Sequence, residues 1–148
     1  MWDFVKVVII GSVVLGALNI NFVKHAVCTD ASSQPTINYA DLSDLIIACN
    51  NQTGVILDFR DKSQYKSAHI PHATNINISL FDSNDYKQKL RELNSASQII
   101  IYGNSSKLAT AQKIAIILMQ NTTALVKVYP DGFEQWKNCK LPLEKSNE

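Results

Sequence analysis

Three short apolar runs constrain this chain most: "GVILDF" (54–59), "QIIIY" (98–102) and "ALVKVY" (124–129). Each is dominated by aliphatic, mostly β-branched residues, and each is too short for a stable helix. Such runs fit strands buried on both faces. Between them lie longer segments with helical spacing. "YADLSDLIIACNN" (39–51) places Leu42, Leu45, Ile46 and Cys49 on one face. "DSNDYKQKLRELN" (82–94) offers Asp82 or Ser83 as a cap and would bury Tyr86, Leu90 and Leu93. "SSKLATAQKIAIILMQ" (105–120) and the shorter "GFEQWKN" (132–138) read as two more helices, and "TIN" (36–38) and "TNINI" (74–78) as two short strands. Strands alternating with helices predict an α/β domain with a central parallel sheet of about five strands and helices on both faces.

The 148 residues suffice for one such domain with an N-terminal extension. Val7–Val23, "VVIIGSVVLGALNINFV", carries no charge over about 17 residues, near the lower limit for crossing a bilayer. Its glycines and β-branched run make a poor soluble helix. The expectation is a hydrophobic signal peptide or signal anchor over residues 1–27, a small polar linker over 28–35 and a folded domain over 36–148. On that reading the domain is membrane-anchored or exported, and periplasmic or otherwise extracytoplasmic in a bacterium. The net charge of +1, with no basic stripe interleaved with aromatics, excludes nucleic acid as a partner.

The three cysteines, Cys28, Cys49 and Cys139, form no C-x-x-C pair, and His25, His69 and His72 do not supply zinc-site spacing beside them. No metal or cofactor is therefore expected. Cleavage after Ala31 would remove Cys28 and leave Cys49 and Cys139 as an even pair. A disulfide between them in an oxidising compartment stands against two free buried thiols.

Parallel sheets bind ligands outside the carboxyl ends of their strands. Two segments lie there: "RDKSQYKSAHIPHA" after "VILDF", and "GNSSKLA" after Tyr102. The second joins a strand to a helix, where unpaired backbone N–H groups favour anions. It holds no Cys, His, Asp or Glu.

Three motifs in order, "VILDFRDKSQYKSAHIPHATNI", the strand–loop–helix after Gln98 and "VKVYPDGFEQW", resemble the rhodanese (sulfurtransferase) homology domain over Thr36 to about Pro142. That family has a strand ending in D-x-R, then H-I-P-G-A, a C-x-x-G-x-R loop and a later G-G before an aromatic. Asp58, Arg60, His69, Ile70, Pro71 and Ala73 match the first motif, and Gly132 and Trp136 the last. From the residues alone, Asp58 and Arg60 read as a structural ion pair, His69 as a fixed hydrogen-bonding residue and Trp136 as core.

The resemblance implies sulfur transfer through a cysteine persulfide, but the loop departs from the pattern. Gly103 falls where the nucleophilic cysteine belongs, Ser106 on the loop glycine and Leu108 on the loop-ending arginine. His72 and Asp131 also stand at glycine positions. Ser105 and Ser106 are weak nucleophiles, and Leu108 removes a bidentate grip on an oxyanion. The residues thus weigh against a working enzyme, and no catalytic residue is assigned.

Three functions follow as expectations. The first is a non-catalytic, tethered or exported module that binds an unidentified protein partner. The second is an anion-binding module, holding sulfate, phosphate or a sulfur oxyanion on Gly103, Asn104, Ser105, Ser106, Lys107 and Leu108. The third is a divergent sulfurtransferase.

Overall fold

The computed structural model describes residues 35–77 and 86–146. Its elements run in the order β1 (Asn38–Tyr39), α1 (Leu42–Asn51), β2 (Val55–Asp58), α2 (Lys62–Ser67), β3 (Ala73–Asn75), α3 (Tyr86–Leu93) and β4 (Gln98–Tyr102). A 3-10 turn (Ser105–Lys107), α4 (Leu108–Asn121), β5 (Leu125–Val128) and α5 (Gly132–Asn138) follow.

The five strands form one sheet in the order β1-β5-β4-β2-β3, and every pairing is parallel. The most apolar run, "QIIIY", becomes the central strand, and Ile99, Ile100, Ile101 and Tyr102 are fully buried there. Successive side chains of a strand point to opposite faces. Ile100 and Tyr102 accordingly join a cluster with Ile56, Leu45, Ala48, Cys49, Phe133 and Trp136, beneath α1 and α5. Ile99 and Ile101 join Leu57, Val126, Val128, Leu93, Ala111, Ile114, Ala115 and Leu118, beneath α3 and α4. The positions 111, 114, 115 and 118 show the helical spacing that faces α4 inward.

Local chemistry shifts several boundaries from their sequence expectation. The first helix begins at Leu42 because Asp41 caps it: Asp41 Oδ1 accepts from the Asp44 N–H at 2.8 Å and Asp44 reciprocates to the Asp41 N–H at 3.2 Å. Tyr39, placed in that helix by its sequence, is freed to end β1. Helix α2 falls in the segment after β2, and because it buries no residue no apolar periodicity marks it in the sequence. The candidate caps Asp82 and Ser83 lie outside the described residues.

The expectation of membrane anchoring or export requires correction. Among the described residues no helix is long and apolar enough to cross a membrane. The Val7–Val23 segment that prompted it lies outside the described residues, as do the boundary at residue 27 and most of the linker. Cys49 and Cys139 are free thiols, the first buried and the second exposed, so neither alternative, the disulfide or a pair of buried thiols, matches the structure.

Candidate functional site

Strands β2 and β4 lie side by side with Asp58 opposite Tyr102, so both motif-bearing strands end at one edge of the sheet. A buried carboxylate there must be neutralised and hydrogen-bonded. Asp58 is. It accepts from the Tyr102 hydroxyl at 2.7 Å, from the Arg60 backbone N–H at 2.8 Å and from Arg60 Nη2 at 2.6 Å. Arg60 Nη2 also donates to the Ala68 carbonyl at 2.8 Å, and its guanidinium carbon stands 3.7 Å from the centre of the Phe133 ring. Only 5% of Arg60 is exposed. These contacts hold its guanidinium within the frame.

The Tyr102 hydroxyl accepts in turn from the Ile70 N–H at 3.1 Å. Burial first, and the Asp58 carboxylate second, push its pKa far above the ordinary tyrosine value. His69 is buried, its ring stacked on Tyr65 at 3.9 Å, with Nδ1 2.9 Å from the Tyr65 carbonyl oxygen. The C-terminal tail pins this turn through paired backbone bonds between His69 and Glu144. Pro71 is buried beside it, and its carbonyl accepts from the Cys49 thiol at 3.6 Å. Burial, with a smaller contribution from Glu144, raises the Cys49 pKa and disfavours a thiolate. Trp136 is core, and its indole N–H donates to the Pro142 carbonyl at 2.8 Å.

The loop after β4 packs against the start of α5. The Gly103 carbonyl accepts from the Phe133 N–H at 2.9 Å. Gly132 has φ 68°, and a Cβ there would stand 2.5 Å from the Gly103 carbonyl oxygen and 2.7 Å from the Ser105 nitrogen. Glycine is required on both counts. Leu108 is half-buried and packs against the apolar cluster under α4. A pocket of about 470 Å³ lies beside the loop, lined by Phe59, Arg60, Asp61, Lys62, Asn75, Asn77, Lys107 and Thr110. No cysteine, histidine or serine is among its lining residues.

Two further side chains decide the loop's character. The Glu134 carboxylate accepts from the Ser105 N–H at 3.3 Å. The Phe59 ring occupies the space where a side chain at position 103 would begin. No motif marks either contact, because each joins residues far apart in the chain.

The anion-binding expectation is corrected by this geometry. A carboxylate of the chain itself already meets the Ser105 N–H, and its charge opposes a second anion there. The Lys107 N–H is turned to the Asn104 carbonyl at 2.9 Å. The expected protein partner finds no support either. Among the described residues, the large apolar side chains left exposed, Tyr39, Ile47, Leu125 and Leu143, come one each from β1, α1, β5 and the tail.

A sheet of this order, with its motif residues at the carboxyl ends of β2 and β4, is a rhodanese-type α/β fold. A Bacillus halodurans protein of known structure matches with 26% identity and a TM-score of 0.61, over 86% of this chain and 87% of its own. The thiosulfate sulfurtransferase from Pseudomonas aeruginosa matches with 24% identity and a TM-score of 0.63, over 77% of this chain but only 20% of its own. The rhodanese-like domain of an Anabaena protein matches with 24% identity and a TM-score of 0.52, over 62% of this chain and 87% of its own. No curated protein matches. The rhodanese-like domain pattern itself matches residues 38–139, and the chain belongs to that family.

Proposed function

We propose that this chain is a non-catalytic rhodanese-like module, one that carries no sulfur on its own loop. The observation that supports this most is Gly103, which follows β4 directly and is buried against the Phe59 ring. Sulfur transfer from thiosulfate needs a thiolate. The thiolate attacks the outer sulfur, a new S–S bond forms, the old one breaks, and sulfite leaves with the bonding pair. The loop offers no thiol for that step. Leu108, at the position the family gives to arginine, packs into the apolar cluster instead of facing a donor. Cys49 is buried on α1 with its pKa raised, and Cys139 lies beyond the end of α5. The Pseudomonas enzyme's activity belongs to that protein, and at 24% identity the likeness bears on fold alone.

The test is direct. The full chain is incubated with thiosulfate and cyanide, thiocyanate is measured, and the intact mass is read after thiosulfate alone. The expected result is no thiocyanate above the blank and no added sulfur. Clear turnover, or a persulfide on any cysteine, overturns the reading.

A further inference from the structure

Among the described glycines, Gly54 and Gly132 have a backbone reason to be glycine, and Gly103 does not. Gly54 and Gly132 have positive φ, whereas Gly103 does not fall in the left-handed region. What excludes a side chain at Gly103 is one neighbour. A Cβ built there lies 2.2, 2.4 and 2.6 Å from three atoms at the tip of the Phe59 ring. Ordinary van der Waals contact begins near 3.4 Å, so the ring itself fills the volume in which a side chain would start.

The base of Phe59 is held from several sides. Its N–H donates to the Tyr102 carbonyl at 3.1 Å. Its chain neighbours Asp58 and Arg60 are locked to each other by the ion pair. The ring packs against the apolar cluster under α4. It also lines the 470 Å³ pocket. Phe59 therefore touches both position 103 and that pocket. Swinging the ring away into the pocket would forfeit the apolar packing that holds it.

We infer that Phe59 is the residue that closes position 103 to the pocket, and that Phe59 and Gly103 act as a matched pair. The inference rests on the non-catalytic reading and extends it. The loop is blocked by bulk as well as by the loss of a nucleophile, so restoring cysteine at 103 and arginine at 108 does not by itself restore the site.

The test has two arms. In the first, Gly103→Ala is made in the natural chain and in Phe59→Val, with Phe59→Ala as the alternative background, and thermal midpoints are compared. With the ring present, Gly103→Ala lowers the midpoint by about 5 °C. With the ring removed, the same change is neutral or raises the midpoint slightly, because alanine restricts the unfolded chain at a φ it can adopt. A loss of equal size in both backgrounds overturns the pairing. So does Gly103→Ala at full stability in the natural chain, a result that needs no Phe59 variant.

In the second arm, Gly103→Cys is labelled with iodoacetamide with and without Phe59→Val, and the site is resolved by peptide mass. Labelling at 103 rises at least about tenfold once the ring is gone, as expected for a group moved from a packed interior to an open pocket. Equal rates overturn the role of Phe59 as the closing residue. A persulfide on the natural chain would sink the non-catalytic reading and leave the pairing intact. Matching behaviour in both backgrounds would do the reverse.

Discussion

His72 has φ 62°, in the left-handed region where a Cβ is costly. It stands at the glycine position of the H-I-P-G-A pattern, and its backbone N–H donates to the Glu144 carboxylate at 3.1 Å. That bond survives replacement by glycine. His72→Gly should therefore raise stability by about 0.5–1 kcal/mol, the strain relieved less the added freedom of the unfolded chain. Urea midpoints check it, and an unchanged or lower midpoint counts against the strain. Tyr102 is the opposite case. Its hydroxyl both donates to Asp58 and accepts from the Ile70 N–H, so Tyr102→Phe leaves a buried N–H without its acceptor. The expected loss is about 1–3 kcal/mol in the same measurement. Neither contact with Tyr102 was legible in the sequence, where it was simply the last residue of a strand.

At the scale of elements, the strand–loop–helix after β4 is held by the start of α5. Gly132→Ala adds a Cβ at a positive φ and drives it into the Gly103 carbonyl and the Ser105 nitrogen. The expected cost is about 2 kcal/mol or more, with exchange of the loop amides accelerated in hydrogen-exchange measurements. The α1 cap offers a milder test. Asp41→Ala removes one partner of a reciprocal pair at an exposed helix end and should cost about 1 kcal/mol by thermal unfolding. Strand β4 and helix α5 were readable to the residue. Each is bounded by side chains of different character, Ser97 and Gly103 around one, Asp131 and Cys139 around the other. Helix α2 was not readable. It is six residues long and buries nothing, so neither length nor periodicity announces it.

For the whole molecule, buried tyrosines set the alkaline limit of stability. Tyr129 is pushed up to about 12, by burial first and by Asp131 next, and Tyr102 is pushed further in the same direction. An acid whose pKa is raised on folding keeps its proton in the folded chain after the unfolded chain has lost it. Stability is thus fully present below about pH 10 and falls as pH rises through the window from 10 to 12. Thermal midpoints should decline across that window together with a late rise in tyrosinate absorbance. A tyrosinate signal that appears near 10 while the chain remains folded contradicts the burial argument.

The sequence alone determined the α/β alternation, the parallel sheet with helices on both faces, the family motifs and the want of a thiol in the loop. Those are properties of spacing and residue type, carried by neighbours along the chain. Only the tertiary structure decided what the loop has become. Phe59 against Gly103, Glu134 on the Ser105 N–H and Leu108 packed half-buried against the apolar cluster are meetings of residues brought together by parallel crossovers. A parallel sheet pairs strands that are distant in sequence, so the chemistry at their carboxyl ends is written by packing and not by local pattern.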